Sequence, residues 1–565
     1  MPQGVIGLAR HVLVLVLVFG IGSTLALAVI RPAWAAPPAS SRHVAALAGS
    51  NVVRAADLVR DIAVGKAIEL ADAKISGDLD LRPVGTVSQP VRCVSCDFEG
   101  AVIASDVIFR RIVLLSGARI VGPIDFRGAE FDGGFFLRPS DRPAIAENRS
   151  SFALATFGDG ASFDRTRFMG PTDFGGTRFV RDVSFSETDF DDEAVFDQAV
   201  FEGNAIFSSD VQTSPATVGL DQTDSCRSLV LGAFGDTAGF SRAVFHGTSD
   251  FRQRCFVGDA SFQNATFEGK ADFSRAIFQQ AAAFGSVGFA SGASFVVTRF
   301  QGNASFLEVA AARSMDFEGA TFAAQSSFFG TTVSGSFSLE GAIFGRTVDM
   351  SKIIADDFTM GVEAVSQVGG STSRKHVLRL IETSAEKRGD LALSNDARFH
   401  LLALEHGDLR GVPQLVDGLL YRDVAGYLVR PNYPLLVFLW LLVLGAIVRG
   451  ILRIRRHGRT PPPTPWPVAV ASSAGARGVG RAPAAALSVA KVSSAFVEGF
   501  GDTLSVAFRP KPTIEVTDRE DPRAYAIAAL QWTEYLAFKV LIALFLLALA
   551  NSNATLRELI DSIRG

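Results

Sequence analysis

The chain has 565 residues, enough for several domains, and 48% of them are hydrophobic with a mean hydropathy of +0.27, a balance that points to membrane segments. A formal net charge of −4 gives no general argument for nucleic acid, and no such partner is expected. Phe outnumbers Tyr and Trp by 46 to 5 and 4, as a dry interior with no partner for a phenol hydroxyl would select.

At the N-terminus, Arg10 precedes an apolar run over 12–30, and small residues then surround Trp34. This order reads as a signal peptide over 1–35 cleaved after Ala35, or as an uncleaved anchor; both put the chain beyond it outside the cytoplasm. Residues 36–69 read as a linker and a capping helix whose apolar stripe lies in 51–64.

From 70 to 355 a large apolar residue recurs at alternating steps of five and six. Phe157, Phe163, Phe168, Phe174, Phe179, Phe185 and Phe190 carry the beat, which continues through Phe234 to Phe344 with few breaks. Upstream, Leu70, Ile75, Leu81, Cys93, Phe98, Ile103, Phe109, Leu114, Ile120, Phe126 and Phe131 keep a similar spacing. Neither a helical period nor strand alternation fits it. A short internal repeat implies a solenoid, each unit burying its apolar face against its neighbours. Small residues sit two positions before many of the Phe, as Ala161, Ala205, Ala260 and Ala293 do. A narrow coil has room for one large and one small side chain per side.

Units such as "ADFSRAIFQQ" and "ASFQNATFEG" resemble the pentapeptide-repeat family in its Phe-centred form. The resemblance implies a mainly β fold, a right-handed four-sided β-helix. Four sides of alternating five and six residues make a turn, about thirteen turns fit in 70–355, and stacking at about 4.8 Å gives a rod roughly 60 Å long. Burying each Phe contributes on the order of 1.5–3 kcal/mol, so the ladder accounts for the Phe without a ligand. Residues 138–150 break the beat and read as a loop pushed out of a corner. The step from Phe207 to Phe234 equals one turn plus a five-residue side, so it is a degraded turn or a surface insertion.

Residues 356–430 read as a helical neck of two helices broken near Gly389 and Asp390. A membrane helix over 431–452 and a second over 532–552 come next, with a short tail at 553–565. Between them, 453–531 is rich in Pro, Ala and Gly. From Arg449 to Arg523 there are 12 Lys/Arg against 6 Asp/Glu, which places this loop in the cytoplasm.

Chemistry-bearing clusters are few. Cys93, Cys96, Cys226 and Cys255 all lie in the part expected outside; the first two read as buried cysteines or a local disulfide, and the last two allow a second pairing. Asp182, Glu187, Asp189, Asp191, Asp192, Glu193, Asp197 and Glu202 form a run without Lys or Arg, read as solvated surface. His43, His246, His376, His400, His406 and His457 show no zinc spacing, and no phosphate loop or nucleophile elbow is present. Catalytic, cofactor and metal residues are therefore none, and an enzyme is not expected. Some family members imitate DNA and block topoisomerases, a role that requires the cytoplasm. Others end in a two-helix domain like that of potassium channels, and Val497, Glu498, Gly499, Phe500, Gly501 and Asp502 would occupy its filter. Here Val497 lacks the Thr oxygen, Glu498 adds a charge, and the loop is expected on the wrong side. The function expected is a membrane-anchored scaffold for an unknown protein at the outer face of the cell envelope; the alternative is a degenerate pore with a solenoid sensor.

Overall fold

A computed structural model describes residues 52–209, Cys226, 232–457, 484–509 and 522–552. The signal segment, the tail and most of 210–231 lie outside the described residues. Short parallel strands repeat four to a turn, so that each strand pairs with the fourth one after it. In one turn the four faces are Asp189–Phe190, Ala194–Val195, Val200–Phe201 and Ala205–Ile206. Face one has 13 strands and face two has 12, while faces three and four join through Thr332–Ser338, which continues around a corner. The result is a parallel β-solenoid of about thirteen turns.

The Phe beat becomes columns of stacked rings. Phe163 lies 4.8 Å from Phe185 at 3°, and the column spacing ranges from 4.5 Å (Phe201–Phe245) to 5.5 Å (Phe126–Phe152). Columns on opposite faces meet edge to face across the interior, as Phe163 and Phe174 do at 80°. The small slot has a second use. Inward Thr177, Thr188, Thr298 and Thr331 donate Oγ1 hydrogen bonds of 2.7–2.8 Å to the carbonyls of Phe152, Phe163, Phe273 and Phe306, which satisfies polar groups in a dry interior.

Two readings of the beat are corrected, and one left open is decided. Ile103 and Leu114 are half-buried on the outside of their strands, and Ala104 and Leu115 fill the inward slots. Aliphatic residues stand on both sides of these early strands, so spacing alone did not mark the inner one. The expected corner loop is shorter than 138–150, because Ala144–Ala146 rejoins face one against Thr166–Phe168. The step at 207–234 is an insertion: Phe190 pairs directly with Phe234 and Phe207 stacks on Phe251 at 4.7 Å, so the ladder continues without 210–231.

Both ends are covered. Helix α1 (Ala55–Ala63) buries Leu58 and Ile62 over the first turns, where aliphatics in place of Phe leave a cavity of about 30 Å³. The strand Val52–Arg54 precedes it and pairs with Lys74–Ser76, so the sheet begins before residue 70. At the other end lie α2 (Ser371–Arg388) and α3 (Leu391–His406). Gly389 ends α2 at φ 75°, and Asp390 caps α3 by accepting from the Leu393 N–H at 3.0 Å. Ser384 accepts from the Phe358 N–H at 2.8 Å and Lys387 donates to the Asp356 carbonyl at 3.0 Å, so α2 satisfies the last strand. Beyond α3 come the short α4 (Val412–Val416), a π-helical turn Asp417–Arg422, and the long helices α5 (Asn432–His457), α6 (Ala484–Phe508) and α7 (Pro522–Ser552). Among the described residues, two segments are long and apolar enough to cross a membrane, Asn432–Ile451 and Gln531–Ser552.

Candidate interaction surfaces

Parallel stacking places residues about one turn apart side by side, and the acidic run is taken up in this way. Arg165 holds Glu187 at 2.6 Å, Arg167 holds Asp191 at 2.8 Å and Arg178 holds Glu202 at 2.6 Å. Asp182 accepts from the Asn204 N–H at 2.8 Å and Asp197 from the Ser241 N–H at 2.7 Å. Much of the run is thus paired or tied to backbone rather than presented as bare negative charge. Among the described residues no group of three or more His, Cys, Asp or Glu could hold a metal ion.

The insertion leaves and re-enters the solenoid at one corner, and sequence reasoning missed the residue that fills it. Arg254 occupies a small inward slot yet is fully buried. Its guanidinium lies 4.5 Å from the centre of the Phe234 ring, donates to the Thr188 carbonyl at 2.5 Å and reaches Ser209 Oγ at 3.3 Å. Its Nε has no hydrogen-bond partner among the described residues. Burial pushes this guanidinium down to about 9, so it remains charged at neutral pH. Gly232, where the chain returns, has φ 78°, and a Cβ there would meet the Glu187 backbone at 2.3 Å. Outside face one, Cys226 is bonded to Cys255, with Cα atoms 5.8 Å apart, and both pack with Ala233 and Ile277. Cys93 and Cys96 form the other disulfide, so no cysteine is free.

The model for pentapeptide repeats matches residues 163–209 in nine copies, the stretch where the Phe columns are unbroken. Residues 163–209 are pentapeptide repeats. No curated protein and no solved structure matches the chain. The same ring stacking and four-strand turn run on either side of the match, so the solenoid as a whole is a pentapeptide-repeat solenoid. On face two of its last turns, Asn303, Ser305, Gln325, Ser327, Thr347 and Asp349 line an open polar groove of about 500 Å³.

The pentapeptide-repeat solenoid connects through its neck to a bundle of three helices. Phe508 packs near Phe438 at 6.2 Å, and a Cβ on Gly499 would meet the Ala446 carbonyl at 2.8 Å, so α6 runs antiparallel to α5 in close contact. Arg449 of α5 forms a two-point pair with Glu534 of α7, with one contact at 3.0 Å, and also donates to Thr503 of α6. The other end of α7 meets the turn that leads into α5. Asn551 Nδ2 donates to the Leu428 carbonyl at 3.0 Å, where Gly426, Tyr427 and Leu428 hold φ of 55°, 52° and 60°. Residues 497–502 lie inside α6, within the span expected as a loop. No filter forms there, because helical carbonyls point along the axis to their own N–H partners.

The neck histidines bind locally. His376 Nε2 meets the Ile353 carbonyl at 2.8 Å, and His406 Nδ1 meets Asp417 Oδ2 at 2.8 Å. Tyr427 donates to the same Asp417 oxygen at 3.2 Å; burial, then Asp417, pushes its phenol up to about 12, so it keeps its proton.

Proposed function

We propose that this protein is a membrane-anchored scaffold whose pentapeptide-repeat solenoid stands outside the cytoplasm and offers its outer faces to a protein partner of the cell envelope. The observation that carries the reading is the state of the cysteines. All four are paired, one bond fastening the insertion to face one, and such bonds persist in oxidising compartments. Two segments able to cross a membrane, joined by Arg449–Glu534 at one end and tied at the other through the turn before α5, support a hairpin anchor. The Lys/Arg excess between them supports a cytoplasmic loop. The pore reading has lost its filter. Fold alone does not name a partner.

Protease protection in intact cells and spheroplasts tests the orientation, with one tag in the solenoid and another within 458–483. Cleavage of the solenoid tag alone from outside is expected. Cleavage of the loop tag with a protected solenoid would overturn the proposal.

A further inference from the structure

The segment between the neck and α5 is amphipathic in reverse. Val412, Leu415, Val416, Leu419 and Leu420 recur at the spacing of one helical face, and together with Tyr421 they are 43–75% exposed. Gln414 is exposed with the stripe, but the charged member of the same segment, Asp417, turns inward to His406 and Tyr427, and Gly418 is buried beside the His406 ring. A surface helix of a protein surrounded by water places these groups the other way round. An apolar stripe this contiguous marks a contact surface.

The position of the stripe selects its occupant. Tyr421 is followed shortly by Asn432, the first residue of α5, and the Asn551–Leu428 hydrogen bond brings the last turn of α7 to the same level. The stripe therefore lies where both spans leave the membrane on the solenoid side, and the first turns of α5 that follow it expose Leu435, Leu436, Leu439 and Trp440. Arg410 and Arg422 flank it, and their stems can lie along apolar surface with the charged ends in the headgroups.

We propose that residues 409–421 lie in the headgroup and acyl boundary of the membrane that α5 and α7 cross, with lipid as the partner of the apolar stripe. The proposal rests on the reading of those two helices as membrane spans. Lipid contact explains why the hydrogen-bonding side of the segment is spent on the neck: the His406–Asp417–Tyr427 contacts hold the stripe outward, about 5–10 Å deep at a typical interface.

The native cysteines are all in disulfides, so a single introduced thiol is the unique labelling site. Leu419→Cys in the full chain is labelled with an environment-sensitive fluorophore and reconstituted into phosphatidylcholine vesicles carrying spin-labelled lipids. Leu415→Cys repeats the measurement, and Val443→Cys on α5 reports the span itself. At 419 and 415 we expect quenching by a shallow lipid spin label at least about twofold stronger than by a mid-chain one, with little quenching by aqueous iodide. At 443 the mid-chain label is expected to dominate. Iodide quenching at 419 without lipid quenching, while 443 behaves as a span, would overturn the proposal and leave the anchor intact. Shielding of 419 from both quenchers, with thiol cross-linking between copies, would overturn it in favour of a protein contact. Loss of lipid quenching at 443 as well would remove the span reading beneath it.

Discussion

Small recurring motifs hold the corners of the solenoid. Asp125 grips the arginine two positions on, with Arg127 Nε and Nη2 at 2.9 and 2.8 Å, and Asp80 and Asp250 hold Arg82 and Arg252 in the same way. The hydrogen bond from Arg127, working against burial, keeps the Asp125 carboxyl below its ordinary value of 3.8. A carboxyl depressed in the folded state stabilises above its unfolded value and loses that contribution as pH falls through its folded value. Arg127→Ala should therefore lower the urea midpoint at pH 7 only slightly, because a pair whose cation is this exposed contributes little. The gap to wild type should close as pH falls below the usual carboxylate range; a gap unchanged at low pH would assign the effect to packing. Residues at this scale were legible in proportion to their periodicity. One Phe per side announces itself, whereas Arg254 sits in a slot that elsewhere holds small or medium residues such as Ala, Thr, Val107, Val287 and Cys96, and nothing local in the sequence says that it points inward. Pairs such as Arg165–Glu187 become readable only once the length of a turn is known.

At the scale of elements, the break between α2 and α3 was legible because Gly389 and Asp390 perform the expected capping. Helix α6 was not, since Gly499 and Gly501 suggest a loop; the close approach to α5 explains Gly499, while a Cβ at Gly501 would meet nothing within 4 Å. The same bundle makes a test of the Arg449–Glu534 pair. Arg449→Met leaves Glu534 partly buried without its cation and should cost about 3 kcal/mol in unfolding from lipid discs. The double variant Arg449→Met with Glu534→Met should recover most of that loss, because two apolar side chains remove both desolvation costs. A double variant no better than the single would mean that the charges orient α6 through Thr503 rather than merely satisfying each other. The reversed amphipathicity of 412–420 was present in the sequence, but its direction depends on where Asp417 points.

For the whole molecule, the sequence carried the number of turns and the two apolar helices, since both derive from repetition or length. It could not separate a degraded turn from an insertion at 210–231, because both preserve the beat; the direct pairing of Phe190 with Phe234 decides it. That pairing also shows that the stack has a phase, like a screw thread. Removing 260–281, one complete turn, should bring Ala282 to the place of Ala260 and shorten the scattering length by about 4.8 Å, with every face still above its former neighbour. Removing only 260–270 should keep Phe on Phe while rotating everything beyond by half a turn, so that faces two and four exchange places. A partner that reads one face across the cut should tolerate the first deletion and lose its footing on the second.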